Sequence, residues 1–492
     1  MKIFNKISVS FLLVFLITTT ACKKNFLETK PTNQVDAASV LSTIDNATAA
    51  LNGIHRNMFT RINNQGEFGF GTIMMFNDCM GEDFVFTAQS NGWFVPTYRW
   101  TMHRSATNTD TEFPYKYLYS MIANANVLIN GVDGIAGAPI AQKNNVKGQA
   151  LAYRAWAYFN IVQLYAKRFD KTTTNTNPGV PLVLTSTLLP QPRATVNEVY
   201  TQINTDLNAA EILLTATART DKSQLNLNVV NGLQARVALT QQDWARAATK
   251  AAAARAGFAL MSATEQLLGY NDYSNTEWMW GSRQIDDQTE SFTAYFAYIS
   301  YNFNSTNIRG NPKCISQTLY NTMAATDVRR ALWVPVPTAA NSVTPPGGSR
   351  NPYMNQKFKA KDFANSVGDN AYMRSAEMYL IEAEARARNG QDGLAQTALF
   401  GLMTNRVPGS IQSTNTGAAL ITEIMNSRRV ELWGEGFRFL DLKRLDLPLD
   451  RTGSNHNSAV ALNFNVPAGD LTWQYVIPQS EINANPLCTQ NP

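Results

Sequence analysis

The side chains able to do chemistry in this 492-residue chain are few and scattered. His55, His103 and His456 stand apart, with neither an HExxH pair to hold zinc nor a GxSxG elbow to carry a serine nucleophile. The segment Gly66-Glu67-Phe68-Gly69-Phe70-Gly71 does not complete a dinucleotide fingerprint, and its aromatic interruptions suit a turn better than a phosphate cradle. Glu82-Asp83 and Asp286-Asp287 are residue types used in acid/base glycoside cleavage, a chemistry that depends on a carboxyl separation only the fold can set. The four cysteines, Cys22, Cys79, Cys314 and Cys488, are widely spaced and form no CxxC, so zinc and redox chemistry give way to buried free thiols, with at most one disulfide among Cys79, Cys314 and Cys488 as the alternative. The expectation is a protein that is not an enzyme and holds no cofactor and no metal.

The densest charged motif runs Arg428-Arg429-Val430-Glu431-Leu432-Trp433-Gly434-Glu435-Gly436-Phe437-Arg438-Phe439-Leu440-Asp441-Leu442-Lys443-Arg444. On a helical path Arg428 and Glu431, Arg438 and Asp441, and Asp441 and Arg444 are neighbours three apart. Trp433, Phe437 and Phe439 interleave with these charges and draw some of them below the surface. Arg428, Glu431, Glu435, Arg438, Asp441 and Arg444 are therefore expected to form a partly buried ion network that fixes the C-terminal fold.

The elements that must position such groups are mainly helical. In 145–166, Leu151, Ala155, Tyr158, Phe159, Val162 and Tyr165 make one helix stripe. In 372–388, Met373, Ala376, Leu380, Ala383 and Ala387 step by three and four before Asn389-Gly390 supplies a stop, and another helix resumes near Leu394. The same layout recurs in 229–256, where a helix through Ala235 and Leu239 meets the turn Gln241-Gln242-Asp243 and a second begins at Trp244. Small residues and short polar turns of this kind let paired helices stack as tetratricopeptide-type hairpins do. The fold class expected is mainly α, a tetratricopeptide-like helical-hairpin scaffold. Long irregular loops at 60–112, 267–318 and 335–360 are expected to be functional.

At the N-terminus, Lys2 and Lys6 precede an apolar run from Ile7 to Ile17, and Thr18-Thr19-Thr20-Ala21-Cys22 follows. This is the layout of a secretory signal, with an apolar run about half the roughly 20 residues that span a bilayer. The Cys after small residues resembles the lipobox of bacterial lipoproteins, with Thr19 where Leu is usual; in that class Cys22 becomes the acylated N-terminus. Loss of Lys2 and Lys6 takes the formal charge from +5 to +3, with both signs dispersed, so neither nucleic acid nor an anionic membrane surface is indicated as a partner. The organisation expected is a signal peptide at 1–21, an anchor and tether at 22–34, an N-terminal helical part at 35–260 and a C-terminal part at 261–492, the last two packed as one body.

Motif 424–444 resembles the C-terminal signature of the SusD/RagB family of nutrient-uptake lipoproteins. Ile424, Arg428, Glu431, Leu432, Glu435, Gly436, Arg438, Asp441, Leu442 and Arg444 match it, while Ser427 stands in place of a Glu. Further family-like stretches follow in order: Phe26-Leu27 with Pro31, Tyr119 with Asn126, Arg154-Ala155, Gly179-Val180-Pro181-Leu182, Tyr372 to Glu377, and Ile477-Pro478 with Asn485-Pro486. The resemblance implies an outer-membrane, lipid-anchored, surface-exposed protein that captures an oligosaccharide, or a peptide, and passes it to a TonB-dependent, SusC-like transporter. For a sugar, flat aromatic faces must cover C–H faces, which makes Trp93, Trp100, Trp278 and Trp280 the ligand-contact candidates. A helical-repeat adaptor without a small ligand and a secreted glycosidase are the alternatives.

Overall fold

A computed structural model describes residues 37–187, 189–215 and 218–492. The signal segment, Cys22 and the tether lie outside these residues.

Eleven helices carry the argument: α1 (Ile44–Arg56), α2 (Phe70–Cys79), α3 (Thr109–Gly131), α4 (Ile140–Tyr165), α5 (Val196–Leu214), α6 (Leu227–Thr240), α7 (Trp244–Ala254), α8 (Ser375–Arg388), α9 (Asp392–Met403), α10 (Gly417–Glu431) and α11 (Arg438–Arg444). Their starts follow local capping chemistry. The Thr43 side chain accepts from the Asn46 amide, Thr195 and Glu198 cap each other reciprocally, and Asn226 and Asp243 cap α6 and α7. Consecutive helices from α3 to α9 pack side by side, and α7 packs on α8 although residues 255–374 separate them in the chain. The hairpin stack is thus continuous in space and interrupted in sequence.

At the centre is α4, in which every residue from Gly148 to Tyr165 is buried. The expected stripe is one side of a helix covered all round. Where its last carbonyls would be left unpaired, Lys443 Nζ donates to the carbonyls of Gln163 (2.6 Å) and Ala166 (2.8 Å). Arg154, also on α4, makes a two-pronged pair with Asp206 of α5 and reaches Asn126 of α3 at 2.9 Å, tying three helices together.

The inserted segments are not simple loops. Region 60–112 contains α2, whose ten residues are all buried, so no amphipathic period betrays it in the sequence. It also contains β1 (Phe84–Phe86). Strands β2 (Pro178–Pro181) and β3 (Arg193–Thr195) pair with each other. Strand β4 (Trp278–Ser282) lies antiparallel to β8 (Asn370–Arg374), with Trp278 opposite Arg374. Met373, expected in a helix, therefore stands in a strand that runs directly into α8. Strands β5 (Lys313–Ile315), β6 (Trp333–Val334) and β7 (Met354–Asn355) join β1 in an antiparallel sheet of order β1-β5-β7-β6. One apolar cluster runs through both halves, from Leu51 and Trp156 to Trp280, Met373 and Tyr475. Cys79, Cys314 and Cys488 are free and buried.

The three histidines are also interior. His55 on α1 bonds Tyr153 of α4 (2.9 Å) and Ser282 of β4 (3.0 Å), His103 bonds the Thr472 carbonyl, and His456 bonds Tyr98 and the Glu82 carbonyl. Burial pushes all three down to about 4. Above pH 6.5 His55 is neutral both folded and unfolded. Between pH 6.5 and 4 the unfolded chain takes up a proton that the folded chain refuses, so stability falls by about 3 kcal/mol through this residue. A His55→Gln variant should lose correspondingly less between pH 7 and 4.5 than the parent, as read by urea unfolding. Equal losses would mean that His55 is protonated in the folded state.

Candidate functional site

The C-terminal motif is organised by its glycines. Helix α10 ends at Glu431, and Gly434 and Gly436, at φ 76° and 83°, turn the chain before α11. At Gly436 an added Cβ would lie 2.7 Å from the Met74 backbone, so this left-handed position admits no side chain. Its amide donates to Asp78 Oδ2 at 2.8 Å.

This break sends the charges to distant partners. Glu431, with essentially no exposed side chain, meets Arg406 (3.0 Å), Arg374 (3.1 Å) and Arg329 (3.1 Å). Arg406 also holds Glu277 at 2.9 Å, Arg374 holds Glu277 and Glu435, Lys357 holds Glu435 at 2.7 Å, and Arg329 holds Asp327 at 2.7 Å. The four cations and four carboxylates balance. Burial alone would raise the Glu431 carboxyl, but the surrounding guanidiniums hold it well below the usual carboxylate range. Arg428 pairs with Asp441, Arg444 with Asp441 and Glu384, and Arg438 with Glu82. Of the pairs expected three apart, Asp441–Arg444 forms. Arg428–Glu431 and Arg438–Asp441 do not, although each pair shares one helix, because Glu431 is taken by Arg329, Arg374 and Arg406, Arg428 by Asp441 and Arg438 by Glu82. Glu82 and Asp83 are both engaged by Arg429 and Arg438.

Of the four tryptophans expected at a ligand, Trp100, Trp278 and Trp280 are 4%, 1% and 0% exposed. Trp100 donates to the Met80 carbonyl at 3.0 Å and packs on Trp473; Trp280 packs on Trp156 and Tyr372. These three rings serve the core, with no face open to a ligand. In the sequence they share with Trp93 the company of Asn, Tyr and Gly, and nothing there distinguishes an inward ring from an outward one.

Trp93 is different. It is half-buried at the tip of the loop after β1, where Ser90, Gly92 and Phe94 all have positive φ (47°, 86° and 60°). Such a run of left-handed residues persists only when the surroundings enforce it, and it is typical of functional loops. Asn311 Oδ1 accepts from the Thr87 amide at 2.9 Å, and Ser90 Oγ donates to the Thr306 carbonyl at 2.8 Å. The Trp93 ring lies over Gly66, where a Cβ would come within 3.0 Å, and stands edge-on to Tyr298 at 5.6 Å. Exposed Asn64, Gln89 and Asn91 border it. Across the 61–66 loop, Arg61 pairs with Glu290, close in sequence to Phe292, which is 51% exposed. Phe292 and the exposed Phe363 escaped the sequence reading because isolated phenylalanines carry no signal of outward orientation.

Three concavities lie elsewhere in the described residues, and Trp93 lines none of them. A cleft of about 900 Å³ runs along α3, but its one aromatic residue, Tyr119, has its hydroxyl tied to the Pro181 carbonyl. One of about 250 Å³ lies at the C-terminal end of α4, beside Arg168, Lys443 and Asp470. One of about 60 Å³ lies under Phe437, far below the roughly 300 Å³ at which small-molecule sites begin. The Trp93 loop is the place where a half-buried aromatic ring, exposed amide side chains and a left-handed backbone coincide.

Residues 25–239 match a family model described as "Starch-binding associating with outer membrane", and residues 238–492 match the SusD family model. A SusD-like carbohydrate binding protein from Bacteroides vulgatus ATCC 8482 superposes with a TM-score of 0.79 at 25% identity, covering 91% of this chain and 97% of its own. A SusD superfamily protein from Bacteroides thetaiotaomicron VPI-5482 gives 0.79 at 24% identity, covering 92% and 100%. Another from Bacteroides fragilis gives 0.74 at 21%, again covering 92% and 100%. No curated protein matches the chain.

The buried cluster predicts an asymmetry in mutational cost. Glu431→Gln leaves guanidiniums buried without their counter-charge and should destabilise by about 3–5 kcal/mol. Breaking the exposed Arg61–Glu290 pair with Arg61→Ala should cost less than about 1 kcal/mol. Chemical denaturation of the two variants checks this, and comparable losses would contradict the assignment.

Proposed function

We propose that this chain, which belongs to the SusD family, is a surface-exposed lipoprotein of the outer membrane that captures an oligosaccharide and delivers it to a TonB-dependent transporter. Membership of a family of outer-membrane-associated binding proteins supports the general role. The observation that carries the ligand reading is Trp93, a half-buried ring on an exposed loop with one side backed by Gly66 and Tyr298. Stacking on such a ring covers the apolar face of a sugar, while neighbouring amides reach its hydroxyls. A peptide would use the same ring with a different hydrogen-bond pattern, so glycan and peptide panels separate the two ligand classes. Among the described residues no helix is long and apolar enough to cross a membrane. Attachment is proposed through lipid on Cys22, with the segment after it acting as a tether that lets the body swing over a SusC-like barrel. The catalytic alternative gains no support from Glu82 and Asp83, which are committed to arginines.

Trp93→Ala should weaken oligosaccharide binding about tenfold in calorimetry with an unchanged melting temperature. Unaltered affinity for a proven ligand would overturn the Trp93 reading. Trp278→Ala is expected instead to destabilise the fold, because that ring is core. Cys22→Ala should move the protein out of the membrane fraction and abolish fatty-acid labelling; continued labelling would refute the anchor.

A further inference from the structure

The narrow cleft under Phe437 is one of the places, among the described residues, where hydrogen bonding in the interior is unfinished. Its lining comes from α2, α4, α6, α8, α10 and α11 as well as β8. Three of its polar atoms, Asn77 Oδ1, Trp156 Nε1 and Arg428 Nη1, have no protein partner, although their residues are only 1%, 1% and 3% exposed. The other polar ends of two of these side chains are used: Asn77 Nδ2 donates to the Gly436 carbonyl at 3.2 Å, and Arg428 Nε to Asp441 at 2.8 Å. Buried polar groups in native proteins are almost always paired, with protein or with ordered water. Three such atoms around one cavity mark a binding site for something that donates and accepts hydrogen bonds.

Charge and size identify the guest. The lining arginines are all paired, Arg236 with Glu377, Arg374 with Glu435, Arg428 with Asp441, and Arg444 with Asp441 and with Glu384 just outside the lining, so four arginines meet four carboxylates and no net charge calls for an ion. The atoms left over are two donors and one acceptor, which a neutral hydroxylic molecule satisfies. The cavity measures about 60 Å³. A sugar ring does not fit, whereas about two to four water molecules do. Half-buried Phe437 lies within cation–π distance of the guanidiniums of both Arg236 (5.3 Å) and Arg428 (5.2 Å), contacts that hold the ring over the cleft.

We propose that this cleft holds a buried water cluster bonded to Asn77, Trp156 and Arg428, joining α2, α4 and α10 through solvent rather than direct contact. The cluster lies where the N-terminal helices meet the signature segment, and Phe437 limits its exchange with bulk water.

A high-resolution crystal structure of the intact folded protein tests this directly. The expected result is ordered water within hydrogen-bond distance of all three atoms. A cavity without water density that takes up xenon under pressure would overturn the proposal, as would an Arg428 guanidinium turned onto a protein acceptor. In solution, protein carrying ¹⁵N-tryptophan should show a water cross-relaxation peak at one indole N–H that disappears in Trp156→Phe. An assigned Trp156 indole signal with no transfer from water would refute the cluster independently of the crystal.

Discussion

Everything in this molecule is arranged around the burial of Glu431. A carboxylate with no solvent needs counter-charges, and the three that reach it come from 329, 374 and 406, each in a different part of the chain. Separately those arginines would be costly to bury; together with Glu277, Glu435, Asp327 and Lys357 they form a neutral block. A block of that kind tolerates the loss of no single member, because each deletion strands the charge opposite. It ties α10 and the turn after it to β8 and to the segment around Lys357.

The same constraint explains the glycine turn. For Glu431 to face inward and Arg438 to reach Glu82, the chain must reverse between them within a few residues, and Gly434 and Gly436 permit it. The turn then rests against α2, through the Asp78 bond to the Gly436 amide. Helix α2 in turn leads through the 80–83 segment to β1 and the Trp93 loop. The strained backbone at Ser90 and Phe94 is thus carried by a frame that extends back to the buried charges. A loop on such a frame has its ring in place before any contact is made.

Helical periodicity was readable where one side of a helix faces solvent or where a short polar turn intervenes. The α6–α7 hairpin and the stop at Asn389-Gly390 are of that kind. It was unreadable in α2, where uniform burial erases the period, and at Met373, where a strand passes into a helix without a break in composition. The signature's charges were legible as a network from their interleaved aromatics. Their partners were not, since Arg329, Arg374 and Arg406 come from segments that no local pattern connects. The tryptophans show the limit most plainly: ring type marks a residue as useful for stacking or for packing, and only its surroundings decide which.

From residue types and spacing alone came the expectation of a leader ending at Cys22, the mainly helical scaffold, the charged signature and the family resemblance, because each depends on local order along the chain. The tertiary structure decided which charges meet, that the hairpin stack closes across residues 255–374, and that Trp93 alone of the four candidate tryptophans retains an accessible surface. Those outcomes depend on long-range packing, in which partners far apart in sequence are brought together by the requirement that buried charge be neutral and buried apolar surface be covered.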